Sequence, residues 1–320
     1  MEHIYIGVDL GGTNIAAGVV NSQGEILARK SVKTNLPKPK EQIEQDIFDL
    51  CVAVCSKSGY NIEKDVTAVG IGTPGSVNGA TGVVGFNANF GYHDWQLKAQ
   101  MEKVLGLPVF VENDANAAII AETRVGNAKG CSDAIILTLG TGIGAGVAIG
   151  GKVFSGSNYA GTELGHIAIE FNGRQCSCGR RGCFEQYASA TALGKDTVKA
   201  MEKNKDSRLW EICPQLSKVT AKTAFDGAKL GDETAIALVN RYIEYLACGV
   251  VNTINIFQPQ VICIGGGVSN EKEYLLEPLK AIVDREEYAR NMTNRTRLVI
   301  AKFRNDAGII GAALLGVENA

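Results

Sequence analysis

Three thiols lie within eight residues in Cys176-Ser177-Cys178-Gly179-Arg180-Arg181-Gly182-Cys183, and His166 stands ten positions upstream of the first. The glycines permit a tight loop, so three thiolates and one imidazole can converge on one ion as a tetrahedral structural zinc site. The alternative is a surface loop of unliganded thiols, which this clustering disfavours. Cys51, Cys55, Cys131, Cys213, Cys248 and Cys263 stand in apolar contexts and read as core. Arg174, Arg180 and Arg181 make the loop locally basic or form a solvated face.

Two glycine turns carry a second kind of chemistry. Gly11-Gly12-Thr13 follows the strand-like run Ile4–Leu10, and Gly140-Thr141-Gly142 follows Leu137–Leu139. Without a Cβ, successive amides can approach an anion and cradle phosphate. A single such turn is as well explained by a hairpin that needs glycine. Two matching turns, each with a threonine hydroxyl, favour phosphate. Gly140-Thr141-Gly142 with Ala145, and Glu163 further on, also fits a dinucleotide fingerprint. That pattern needs a helix after the turn, whereas Gly146-Val147-Ala148-Ile149 reads as a strand. Gly146–Lys152 resembles a P-loop, but Val153 stands where Ser or Thr must hold magnesium. Both readings are rejected.

The segment Glu112-Asn113-Asp114-Ala115-Asn116 joins a buried strand, Val109–Val111, to an alanine-rich helix. Asn113 or Asp114 there is an ordinary helix cap. Beside two phosphate turns, Asp114 gains another role, accepting the proton of a hydroxyl that attacks a γ-phosphate. Glu163, in Glu163-Leu164-Gly165-His166, and Glu185 flank the cysteine loop. They can accept bonds from sugar hydroxyls or orient His166, and sequence does not separate the two.

The elements that must position these residues read as α/β. Ile4–Leu10, Ile15–Val20 and Glu25–Lys33 are strands, Glu41–Ser58 a helix with Ile43, Ile47, Leu50 and Val54 on one face, and Val66–Gly72 a buried strand ending at Thr73-Pro74-Gly75. Ser189–Phe257 is mostly helical, Val261–Ile264 a strand entering Gly265-Gly266-Gly267, and Gly308–Leu315 a small-residue helix. Strand, glycine turn and strand recur about 130 residues apart, which implies two related domains. With 320 residues, 45% hydrophobic and a formal net charge of -2, the chain has no general attraction for nucleic acid or acidic membranes. No signal sequence is expected, nor any apolar run long enough to span a bilayer, and nine cysteines without a signal favour reduced thiols in the cytoplasm.

In order along nearly the whole chain, Asp9-Leu10-Gly11-Gly12-Thr13, Glu112-Asn113-Asp114-Ala115-Asn116, Gly140-Thr141-Gly142-Ile143-Gly144, Glu163-Leu164-Gly165-His166, Cys176–Glu185 and Gly265-Gly266-Gly267 resemble the ROK family (repressors, open reading frames and kinases), and most of all its bacterial glucokinases. The resemblance implies an actin-like ATPase (ribonuclease H-like) fold of two related α/β domains with a cleft between them. The expected division is a small domain, residues 1–115 with a tail helix of about 304–320 packed back on it, and a large domain, 116–303, carrying the zinc loop. It implies phosphoryl transfer from Mg-ATP to the 6-hydroxyl of a hexose, glucose first, with an N-acetylhexosamine or fructose as alternatives. Asp114 would be the base, with Gly75, Asn89, Asn113, Glu163, His166 and Glu185 around the sugar. Asp9 would face magnesium. Gly11, Gly12, Thr13, Asn14, Gly140, Thr141 and Gly142 would meet phosphates, and Gly265, Gly266 and Gly267 the adenosine. Zinc would be held by His166, Cys176, Cys178 and Cys183. Asn14 departs from the pattern, since many members carry Lys there. A homodimer, or a tetramer, is implied, with no nucleic-acid partner. A helix-turn-helix has no room before residue ten, which disfavours a non-catalytic sugar-binding regulator.

Overall fold

The computed structural model describes residues 3–87 and 90–319. Its first half contains β1 (Ile4–Leu10), β2 (Asn14–Asn21), β3 (Ile26–Lys33), α1 (Lys40–Ser58), α2 (Ile62–Asp65), β4 (Val66–Thr73), β5 (Ser76–Asn78), β6 (Val83–Asn87), β7 (Tyr92–Trp95), α3 (Leu97–Leu105), β8 (Val109–Asn113) and α4 (Asp114–Val125). The second contains β9 (Ala134–Leu139), β10 (Ile143–Ile149), β11 (Lys152–Val153), α5 (Glu185–Ala188), α6 (Ala190–Lys203), α7 (Leu209–Ile212), α8 (Ala221–Lys229), α9 (Glu233–Phe257), β12 (Val261–Gly265), α10 (Glu273–Glu286), β13 (Arg297–Ile300) and α11 (Ala307–Asn319).

The duplicated hairpin reappears as duplicated topology. One sheet runs β3-β2-β1-β4-β8 and the other β11-β10-β9-β12-β13, the same order counted within each half. In the first, β1 pairs antiparallel with β2 and parallel with β4, and β4 pairs parallel with β8. Asp9 lies opposite Gly72, and Gly72 and Thr73 opposite Glu112 and Asn113. The Asp9 and Asn113-Asp114 positions therefore share the carboxyl end of a parallel sheet, where such sheets bind ligands. The small sheet β5-β6-β7 was not foreseen from sequence. Its strands are short, and Trp95 within it donates Nε1–H to Glu44 Oε1 on α1 at 2.7 Å.

By packing, the described residues fall into two compact units: those of Met1–Ile136, Gly146–Thr162 and Asn305–Ala320, and those of Leu137–Ala145 and Glu163–Arg304. In the first unit, β1 is apolar on both faces, as a covered central strand must be. Ile4, Ile6, Val8 and Leu10 join Ile47, Leu50, Val54 and Met101 in one core. Tyr5 turns the other way onto Ile309 and Ala313 of α11. Glycine makes that second face possible: a Cβ on Gly7 would lie 1.8 Å from the Ile309 carbonyl oxygen, and one on Gly70 of β4 1.8 Å from that of Ala312. On α11 itself, Gly311 meets the Ala117 carbonyl of α4 the same way. Helix α11 thus lies backbone-on-backbone against the strands that end at the site.

Gly70→Ala should consequently lower stability by roughly 3 kcal/mol or more, because rigid backbone cannot yield as a side chain does. Urea unfolding followed by circular dichroism will measure it, and a midpoint within error of wild type would contradict this packing.

The expectation that no apolar stretch approaches spanning length fails for α9, whose 25 residues suffice by length and composition. Half of its apolar window is buried, with Val239, Leu246 and Val250 inside the second unit, where the helix packs on α8 and α10.

Candidate active site and metal centre

In the first unit, the turn after β1 is held by Thr34, which is fully buried. Its hydroxyl donates to the Gly11 carbonyl at 2.7 Å and its N–H to the Thr13 carbonyl at 3.0 Å, while Gly11 N–H closes on the Asn14 carbonyl at 3.0 Å. Gly12 is partly exposed, and Thr13 and Asn14 are exposed. Asp9, at the end of β1, packs against the start of α11: a Cβ on Gly308 would lie 2.8 Å from its carboxyl carbon. Burial, reinforced by the charge of Asp114, pushes the Asp9 carboxyl up to about 7.

The two readings of the Glu112–Asn116 segment separate cleanly. The cap of α4 is Asn113: its Oδ1 accepts from Ala115 N–H at 2.9 Å and Asn116 N–H at 3.2 Å. Its Nδ2 donates to the Gly75 carbonyl at 3.1 Å, so two residues expected at the sugar bond to one another. Gly75 has φ +105°, and a Cβ there would lie 2.2 Å from the Phe86 carbonyl of β6. Asp114, relieved of the cap, opens the helix with Oδ1 accepting from Ala115 N–H at 2.8 Å. Burial holds its carboxyl above the usual range, partly offset by that bond. Asn89 lies outside the described residues.

Sequence reasoning missed the residues behind this segment. Glu112 Oε1 accepts from Asn113 N–H at 2.8 Å and from Asn116 Nδ2 at 3.0 Å, and Asn116 Nδ2 also reaches Ser155 Oγ at 3.1 Å. The i,i+4 spacing of Glu112 and Asn116 is a signal that could have found the first pair. Nothing local announces Ser155 or Thr34.

The second unit holds the other turn and the remaining residues expected at the sugar, Glu163, His166 and Glu185. Gly140 N–H bonds the Gly142 carbonyl at 3.0 Å, and Thr141 is exposed at the tip. Glu185, expected at the sugar, accepts from Ile143 N–H through Oε2 at 3.1 Å, and a Cβ on Gly142 would lie 2.1 Å from that oxygen. The same approach explains glycine at 165, whose Cβ would lie 2.3 Å from the Ile143 carbonyl. The Glu163–His166 stretch, a single turn over Leu164–His166, is thereby pressed onto the glycine turn. Gly266, at φ +77°, lies against the backbone of Leu139, and Ser269 Oγ donates to its carbonyl at 2.7 Å. Gly265 ends β12, and Gly267 is exposed.

The cysteine loop folds as its spacing requires. Cys176 N–H bonds the Arg180 carbonyl at 2.9 Å, and Gly179 and Gly182 take positive φ of 90° and 80°. One donor atom from each of His166, Cys176, Cys178 and Cys183 falls within 4.8 Å of every other. His166 Nδ1 lies 3.6 Å from Cys176 Sγ, and Cys178 Sγ 3.7 Å from Cys183 Sγ. Zinc–sulfur bonds of about 2.3 Å at a tetrahedral angle put two sulfurs roughly 3.8 Å apart, so the donor set fits the ion. Gln186 Nε2 points to Cys176 Sγ at 3.6 Å, and Arg180 Nη1 donates to the His166 carbonyl at 3.0 Å. Although burial pushes the Cys176 thiol up, hydrogen bonds from Cys178, Cys183 and His166 bring it down to about 7, towards the thiolate that binds metal. Arg174 is neither a ligand nor a freely solvated charge: it pairs with Asp196 at 2.8 Å and covers the Tyr187 ring.

The chain is 37% identical to the glucokinase of Thermotoga maritima over 310 residues, covering 96% of this chain and 95% of that one. Among solved structures, the glucokinase of Streptomyces griseus, determined in complex with glucose and AMPPNP, superimposes with a TM-score of 0.87 at 35% identity, over 99% of this chain and 100% of that one. The ROK hexokinase of Thermus thermophilus does so at 0.80 and 32% identity, over the full length of both. The ROK family profile matches residues 5–319, from the strand that carries Asp9 to the helix packed behind it. The profile spans nearly the whole chain, and with these near-full-length likenesses the chain belongs to the ROK family.

Proposed function

We propose that this chain is an ATP-dependent glucokinase, transferring the γ-phosphoryl group of ATP to the 6-hydroxyl of glucose. The observation that carries the reading is the separation of roles at β8–α4. Asn113 caps the helix, which leaves the Asp114 carboxylate at the carboxyl end of the sheet, beside Asp9 and the Gly11–Thr13 turn. The near-full-length likeness to glucokinases supports the choice of sugar.

In this mechanism Asp114 accepts the proton of the 6-hydroxyl as its oxygen bonds to the γ-phosphorus and the bond to the β-phosphate oxygen breaks, leaving ADP. The amides of the two glycine turns, with Thr13 and Thr141, orient the phosphates. Asp9 would hold magnesium, which when bound offsets charge on the triphosphate. Asn113, Glu163, His166 and Glu185, with Gly75 and Asn89, select the hydroxyl pattern, and Gly265–Gly267 seat the adenosine. His166, Cys176, Cys178 and Cys183 would hold zinc, which fixes the loop between Glu163 and Glu185. The protein works as a cytoplasmic homodimer.

A sugar panel with ATP tests the reading directly. Glucose should exceed fructose, N-acetylglucosamine and N-acetylmannosamine by at least about tenfold in kcat/KM, since a pocket built to bond a given hydroxyl rejects analogues that leave its polar groups unpaired. A preference for one of the others would overturn the choice of glucose while keeping the kinase.

A further inference from the structure

Beside the second glycine turn, the second unit holds a recess of about 240 Å³ whose wall includes Thr141, Glu185, Thr191, Lys195, Asp196 and Lys199. Its position relative to the turn is fixed by a main-chain bond, Ala190 N–H to the Gly140 carbonyl at 2.9 Å, which ties the first residue of α6 to the first residue of the turn. Lys195 stands four residues after Thr191 on that helix, hence on the same face.

The charges around the recess are not equivalent. Asp196 is engaged twice, by Arg174 Nη2 at 2.8 Å and by Lys199 Nζ at 3.5 Å. Glu185 gives Oε2 to the Ile143 amide at 3.1 Å. Lys195 forms no ion pair with any described residue and is exposed. Three cations face two acids, both acids are occupied, and the surplus positive charge is the Lys195 ammonium. An unpaired ammonium, the Thr141 and Thr191 hydroxyls and an adjacent glycine turn together suit an oxyanion that carries several negative charges. At the first turn, Asn14 directly after Thr13 brings no charge.

We propose that Lys195 is a binding residue for the phosphate chain of the donor nucleotide, and that the recess beside Thr141 holds that chain. This deepens the kinase reading and rests on it. The ammonium contributes a charge-assisted bond to a phosphate oxygen, with no part in proton transfer. It therefore acts on donor affinity more than on turnover.

The test compares wild type with Lys195→Ala and Lys195→Arg, measuring sugar-kinase kinetics and the binding of ADP, inorganic tripolyphosphate and adenosine by calorimetry. For Lys195→Ala, KM for MgATP and the dissociation constants of ADP and tripolyphosphate should rise about tenfold, the usual loss for one bond to a charged group. KM for the sugar, kcat and adenosine affinity should stay within about twofold. Lys195→Arg should recover most of the lost affinity, because it keeps the charge. Unchanged ADP affinity in the alanine variant would overturn the proposal, as would an equal loss for adenosine, which has no phosphate. A wild-type protein that phosphorylates no sugar with ATP would instead remove the kinase reading beneath it.

Discussion

Asp114→Asn should lower kcat by about three decades while leaving the dissociation constant of glucose within a few-fold. A positioned general base contributes on the order of 10²–10⁴ to rate, and asparagine keeps shape and hydrogen bonding but cannot take the proton. The fold should survive, since the cap of α4 belongs to Asn113 and not to Asp114. The sign of the pKa shift adds a control. Burial raises the Asp114 carboxyl, so the folded state disfavours the charged form, and stability is lost as pH rises through the raised pKa. At pH 8 the neutral asparagine removes that cost, and the variant should melt at or above the wild-type temperature. Loss of turnover with a lower melting temperature would point to misfolding instead of a missing base.

The pH profile follows from the same environment. As the proposed base, Asp114 would work only when ionised, so kcat/KM should fall as pH drops through its raised pKa, and the acid limb should lie above the ordinary carboxylate range. Asp9 is pushed up to about 7 by burial and then by the charge of Asp114. In Asp114→Asn that charge is gone, and the Asp9 carboxyl should titrate at lower pH, as NMR of its side-chain carboxyl will show. An Asp9 titration that does not move would mean the two groups are not coupled.

Cys178→Ala should abolish the metal. Cys178 is the exposed member of the quartet, so its truncation leaves no buried cavity and reports on metal ligation itself. Elemental analysis should find about one zinc per wild-type chain and nearly none in the variant. Removal of a structural ion withdraws binding energy that folds its loop, and for zinc-finger peptides this amounts to about 10–16 kcal/mol. Here the loss is local, because the segment between His166 and Cys183 contains no helix or sheet strand and is held by loop hydrogen bonds and two isolated bridges, Ala168 with Cys183 and Gln175 with Arg181. Limited proteolysis should cut the variant between residues 166 and 185 and leave wild type intact. Glucose KM should rise at least about tenfold, as Glu185 and His166 lose their support. A metal-free protein of full activity would remove the ion from the account.

Much of this molecule is legible from its residues alone because its determinants are local. The Cys176–Cys183 spacing, three thiols within eight residues with glycines between them, predicts donors that converge on one point, and the donor atoms of His166 and the three cysteines do converge. The recurrence of strand, glycine turn and strand announces two sheets of one topology, and they have the same strand order. Alternating and helical apolar patterns place β1, β4, β8, β12 and α1 to within about two residues, because burial of one face leaves a period in the sequence.

What the tertiary structure alone decided are choices between equal local options and contacts between distant segments. Asn113 and Asp114 are both good caps, and only the closeness of Gly75 and the bonds to Ala115 and Asn116 assign the cap to Asn113 and release Asp114. Gly7 and Gly70 look like ordinary glycines until α11, some 240 residues beyond β4, lies on their backbone, and so does Gly311 until α4 lies on α11. The residues alone leave Glu185 open between a sugar ligand and a support for His166, and its carboxylate braces Ile143 next to the second glycine turn. A period of two or 3.6 residues records which face of an element is buried. It does not record what lies on that face, and at this site the partner decides the chemistry.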